Sequence, residues 1–72
     1  MEVMKLRITL KAARINARLT QREAAEKIGV TVETIGNWER SKSFPNALQI
    51  RRIEEVYNVS YDSLIFSSKN TL

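Results

Sequence analysis

The chain has 72 residues, with twelve Lys and Arg against eight Asp and Glu, a net charge of +4, and neither Cys nor His. That length suits one small domain, and without disulfides or Cys/His zinc ligands its core must come from apolar packing alone. The basic balance favours polyanionic partners through counterion release, although ordinary soluble proteins carry as much charge, so charge alone decides nothing. Taken in chain order, Met4, Leu6, Ile8 and Leu10 alternate with polar residues, which reads as an extended arm or short strand. Thr9 is a candidate N-cap for a first helix over Leu10–Ala17, with Leu10, Ala13 and Ala17 on one face.

Thr20-Gln21-Arg22-Glu23 is a capping box, and the helix it opens should run to Ile28 and stop at Gly29. Only Gly29 and Val30 precede Thr31, the N-cap expected for a third helix from Val32 to Glu39 or Arg40. A connector that short forces two helices to turn sharply and pack on each other. Ser41 to Pro45 reads as a loop, and Asn46 caps a fourth helix reaching Tyr57, with Ile50, Ile53, Val56 and Tyr57 at core spacing. Asn58 suits a left-handed stop, Ser60 begins a short last helix through Leu64 or Ile65, and residues 67–72 form a flexible tail. The expected architecture is all-α: a compact bundle of five short helices with an N-terminal extended arm and no sheet.

The third helix separates into two sides at about 100° per residue. Thr31, Ile35 and Trp38 cluster on one, and Glu33, Gly36, Asn37 and Arg40 on the other, with Val32 between them at the N-terminal end. The second side is small or polar, as a helix entering a DNA major groove requires, and Gly36 lets the backbone approach a surface closely. A merely solvated face would have the same pattern. Trp38 has a choice between stacking on a base and packing in the core, and its spacing with Ile35 favours the core.

The run Leu10-Lys11-Ala12-Ala13-Arg14, then Leu19-Thr20-Gln21, Ala24 to Thr31, Ile35-Gly36-Asn37-Trp38-Glu39-Arg40, Pro45, and Tyr57 to Leu64 resembles the Cro/cI-type (XRE-like) helix-turn-helix family of DNA-binding proteins. The resemblance spans roughly Leu6 to Phe66. It implies a lambda-repressor-like DNA-binding domain over residues 1–66, with the motif at about 21–40 and a recognition helix at about 32–40. Among members, it is most similar to short phage or prophage transcriptional regulators without an attached C-terminal domain.

The resemblance also implies roles. Val32, Glu33, Gly36 and Asn37 occupy base-reading positions; Asn37 suits adenine, Val32 a thymine methyl, and Glu33 either cytosine or solvent. Gln21 and Thr31, at helix N-termini, would meet phosphates, where free N–H groups and the helix dipole favour anions, and Gln21 would also help set the angle of the recognition helix. Arg40, Lys42 and Ser43 are the other phosphate candidates, with Arg22 behind them. Arg14 and Glu39 match a pair that bridges the first helix to the end of the third.

The chain departs from the family pattern at several points. Arg18 and Ser41 stand where many members have Gly, and Arg51 and Glu54 where many are apolar. The arm of residues 1–7 has three open uses: binding DNA through Lys5 and Arg7, covering the core, or pairing with a second subunit. Tyr61, Leu64, Ile65 and Phe66 form an apolar cluster, either closing the monomer's core or supplying a homodimer interface. Tyr61, Ile65 and Phe66 are the candidates for the latter. Reading a genomic site favours a symmetric dimer on a palindromic operator, because one helix reads few base pairs.

An enzyme is disfavoured by the lack of His, Cys and any Gly-rich phosphate loop, and no cofactor or metal site is expected. No apolar run approaches membrane-spanning length, and the polar N-terminus does not read as a secretory signal, so a soluble cytoplasmic, nucleoid-associated protein is expected. The rival reading is a protein-interaction or antitoxin/controller-type module in which DNA binding is secondary.

Overall fold

The computed structural model describes residues 7–66. The expectations for the arm through residue 6, Lys5 included, and for the tail at 67–72 lie outside these residues. In order, the elements are β1 (Ile8–Thr9), α1 (Leu10–Asn16), α2 (Gln21–Ile28), α3 (Val32–Glu39), α4 (Ala47–Tyr57), a 3-10 turn (Tyr61–Ser63) and β2 (Leu64–Ile65).

Local chemistry starts and stops each helix. Thr9 Oγ1 accepts the Ala12 N–H at 3.0 Å, and α1 ends at Asn16, one residue earlier than expected, with Ala17 as its cap. The capping box at α2 is complete: Thr20 Oγ1 accepts the Glu23 N–H at 3.0 Å, and Glu23 Oε1 accepts the Thr20 N–H at 2.8 Å. Gly29 ends α2 in the left-handed region at φ 92°. Thr31 Oγ1 accepts the Thr34 N–H at 3.1 Å to open α3. Asn46 caps α4 with Gln49 as its reciprocal partner, both bonds 2.8 Å, and Asn58 closes it at φ 57°. Arg18 and Ser41 also take positive φ, 64° and 62°, at the positions where the family's Gly is missing.

The fifth helix is not formed, and the fold is not all-α. Tyr61–Ser63 make one 3-10 turn, after which Leu64 is extended at φ −96°, ψ 144°. The backbone of Leu64–Ile65 pairs with Ile8–Thr9 instead of continuing a helix. β1 and β2 run parallel, with Ile8 opposite Leu64 and Thr9 opposite Ile65. Among the described residues the fold is therefore four helices, with a small parallel strand pair joining the segment before α1 to the segment after the 3-10 turn. Two residues per strand are too few for the pairing to be read from periodicity.

α2 packs against both α3 and α4, while α1 packs on α3, α4 and the strand pair. Ile28, Ile35 and Ile53 are the largest fully buried side chains, one each from α2, α3 and α4. Each contributes about 1.5–3 kcal/mol through burial, so together they pin the three helices. Leu10, Ala13, Trp38, Tyr57 and Leu64 surround them. Ile50, expected in the core, is only partly buried. Among the described residues no helix is long and apolar enough to cross a membrane.

Candidate nucleic-acid interface

A partly buried polar cluster ties the ends of α1, α2 and α3 together beside the core. Arg14 is only 7% exposed. Its Nε donates to Glu39 Oε2 at 2.6 Å and its Nη2 to Glu39 Oε1 at 3.2 Å, a two-pronged ion pair. Arg14 Nη1 donates to the Leu19 carbonyl at 2.9 Å, and Gln21 Nε2 donates to Glu39 Oε1 at 3.1 Å. The end of α1, the start of α2 and the end of α3 thus meet on a single carboxylate. The hydrogen bond to Glu39 raises the Arg14 pKa against the opposing effect of burial. Burial first, and the Glu39 charge second, push the neighbouring Tyr57 up to about 12.

The resemblance puts Gln21 at a phosphate and has it help set the angle of the recognition helix; in the structure its side-chain amide donates to Glu39, which ties the start of α2 to the end of α3. Sequence reasoning missed that link, since nothing local relates residues 21 and 39. On the far side of the pair, Arg52 Nη1 donates to the Ile28 carbonyl at 3.4 Å, a long bond over the last turn of α2.

α3 presents two distinct faces. Ile35 and Trp38 point inward, 1% and 6% exposed, so the indole is packed rather than available for stacking. Val32 is 39% exposed and Glu33 is exposed, both on the first turn, while Asn37 is half-buried and Arg40 exposed toward the other end. Gly36 departs from its expectation as an open stretch of backbone. It is buried, because the Arg40 guanidinium lies across it and reaches Asn37 Oδ1 at 3.0 Å.

Around this face lie the other candidates. Thr31 is exposed at the start of α3 and Arg22 on the first turn of α2. Lys42 and Ser43 are exposed on the loop after α3, where the Lys42 N–H donates to the Asn37 carbonyl at 2.8 Å and closes the helix end. The candidate interface residues at the C-terminal end divide: Leu64 joins the core, Phe66 is partly buried against it, and Tyr61 remains 51% exposed with its ring 5.5 Å from that of Phe66. Ile65 is half-buried in β2. Glu54, out of pattern for the family, accepts the Tyr61 N–H at 2.8 Å and so seats the 3-10 turn. Arg51 is exposed on α4.

The helix-turn-helix family model matches residues 10–64, which takes in all four helices and the start of β2. The chain belongs to the helix-turn-helix family. As a helix-turn-helix protein it is similar to the HTH-type transcriptional regulator ImmR of Bacillus subtilis (strain 168), 39% identical over 62 residues. That match covers 86% of this chain and 49% of ImmR. It is also similar to the HTH-type transcriptional activator BcrR of Enterococcus faecalis, 32% identical over 56 residues, or 78% of this chain and 28% of BcrR. The chain thus spans about half the length of one relative and under a third of the other. No solved structure matches it at a significant level.

Proposed function

We propose that this helix-turn-helix domain, residues 1–66, binds double-stranded DNA sequence-specifically and regulates transcription in the cytoplasm. In this reading α3 enters the major groove, Val32, Glu33 and Asn37 face the base edges, and Arg22, Thr31, Lys42 and Ser43 face phosphates. Gln21 sets the angle of the reading helix through Glu39. The observation that carries the reading is the outer face of α3, small and polar around Gly36, with its end tied to both preceding helices by Glu39. Positioning of that kind suits a helix that must fit a groove. The names of the two relatives, both transcriptional regulators, support it.

The finer proposal is a phage or prophage repressor acting as a homodimer on a palindromic operator, with half-sites about one helical turn apart. Tyr61, half-exposed beside Phe66, is the interface candidate that keeps the most accessible surface. In-vitro selection of bound duplexes tests both levels. It should return a half-site repeated as a palindrome, with affinity falling steeply from low to physiological salt. Failure to enrich any duplex would overturn the DNA reading, and enrichment of a single half-site would overturn the dimer.

A protein-interaction role has one observation in its favour. Phe44, in the loop before α4, and Leu48, on its first turn, are 55% and 60% exposed. Association through such apolar groups would persist at high salt, whereas DNA binding would not.

A further inference from the structure

Two residues of the outward face of α3 are bonded to each other, and that bond changes what the face offers. Arg40 Nη2 donates to Asn37 Oδ1 at 3.0 Å. The guanidinium reaches it by folding back over Gly36: a Cβ there would stand 3.1 Å from Arg40 Nη1 and 3.5 Å from Nη2. Glycine leaves that space open, so the planar group rests against the helix backbone.

Chemistry fixes the orientation of the carboxamide. A guanidinium has only donors, so it can face only the oxygen of Asn37 and never its amino group. Free Asn offers one donor and one acceptor, the pattern that suits N7 and N6 of adenine. Tied to Arg40, it keeps both N–H groups of Nδ2 while its oxygen is engaged by a cation. The second lone pair of that oxygen lies beside a full positive charge, which disfavours an approaching N–H group of a base. The guanidinium adds its own unspent N–H groups. The outward surface around Gly36 is therefore dominated by donors. Guanine presents two major-groove acceptors, O6 and N7, whereas adenine places the N6 donors beside its N7.

We infer that Asn37 and Arg40 act as one composite reader that selects guanine over adenine at the base pair facing Gly36. Arg40 is then a specificity-determining residue and not a phosphate clamp. The inference rests on the proposal that α3 reads duplex DNA. Glu33, a turn earlier, can accept from a different base and does not compete for this one.

The test is in-vitro selection of bound duplexes, followed by affinity measurements, with wild type, Asn37→Ala, Arg40→Lys and the double variant. Arg40→Lys keeps the charge but loses the planar fork. Wild type should select guanine at one position of the half-site. Both single variants should lose about tenfold or more in preference at that same position, with little change in the dependence on salt. The double variant should lose no more than either single, because the two side chains act as a unit. None of them should melt well below wild type, since neither side chain belongs to the core. Selection of adenine by the wild type would overturn the inference. So would single variants that relax different positions, additive losses, or an Arg40→Lys effect spread evenly over all sequences. These results leave selective DNA binding intact. If the wild type selects no sequence at all, the functional proposal falls together with the inference.

Discussion

Arg14 and Glu39, twenty-five positions apart, meet in a two-pronged ion pair whose side chains are 9% and 6% exposed. The pair joins the first helix to the end of the third, and Gln21 bonds to the same carboxylate. Removing one partner strands the other charge in a buried place, which costs about 3–5 kcal/mol. In a domain this small that is much of the total stability. Glu39→Ala is expected to be largely unfolded or to melt far below wild type. Arg14→Met with Glu39→Leu should be markedly more stable than Glu39→Ala, because no charge is left unpaired. Urea denaturation with circular dichroism makes the comparison; a double variant as weak as the single would show that the pair matters for shape and not for charge.

Tyr57 beside this pair gives the domain an alkaline limit. Its pKa is raised from 10.0 to about 12, mainly by burial. Between those values the unfolded chain has released the phenolic proton while the folded chain retains it. The unfolded state therefore binds fewer protons, and stability falls as pH rises through this window. It is fully present below pH 10 and lost by about pH 12, at no more than about 1.4 kcal/mol per unit. Tyr57→Phe should flatten the fall over pH 10–12, measured as the urea midpoint. An unchanged slope would assign the alkaline loss to other groups.

Arg18 adopts φ 64° between α1 and α2, a region that costs a non-Gly residue about 1–2 kcal/mol. Arg18→Gly removes that strain but loosens the unfolded chain, which offsets about 0.5–1 kcal/mol. The net expectation is a gain of a few tenths to about 1 kcal/mol, and a rise of up to several degrees in Tm. Gly29→Ala, at φ 92°, should move Tm the other way. Differential scanning calorimetry of both variants tests the two signs together.

Gly36→Ala should separate stability from recognition. Alanine is the better helix former by about 1 kcal/mol, so the melting point should rise. The added methyl would press on Arg40 Nη1, 3.1 Å from the position a Cβ takes. The guanidinium must shift from its seat over the helix, and selectivity at the base read by Asn37 and Arg40 should fall. A variant that gains stability and keeps full selectivity would argue that the seat over Gly36 has no part in reading.

The helix boundaries were legible because their signals are local. Thr20 with Glu23, Gly29, Thr31, Asn46 and Asn58 each act within about four residues of a helix end, and each takes the expected place. Gln49, as the second half of the Asn46 cap, was present at the right spacing and went unread. The α3 division into a packed side with Ile35 and Trp38 and an outward side also follows from one period. The alternation through Ile8 was legible as an extended arm or short strand, but its pairing with Leu64–Ile65 was not, because the partner lies more than fifty residues along the chain and itself spans too few residues to alternate. Gln21 on Glu39 was hidden for the same reason, since only the packed helices bring them together. Arg40 on Asn37 lay closer to reach: three residues along a helix place them on one face. What their spacing could not say is that Gly36 leaves the guanidinium room to settle between them.

The strand pair has a consequence for the order in which the domain assembles. Joining Ile8 to Leu64 closes a loop containing all four helices, so the ordering entropy of that closure must be met before the ladder returns anything. The helices and their local caps need no such closure. The two-residue ladder should therefore form after the main barrier, acting as a latch on a bundle that is already built. Ile8→Ala would then hasten unfolding while leaving the refolding rate nearly unchanged, which stopped-flow measurements over a range of denaturant would read directly. Opening of the native domain would start where its two ends meet and reach the helices only afterwards.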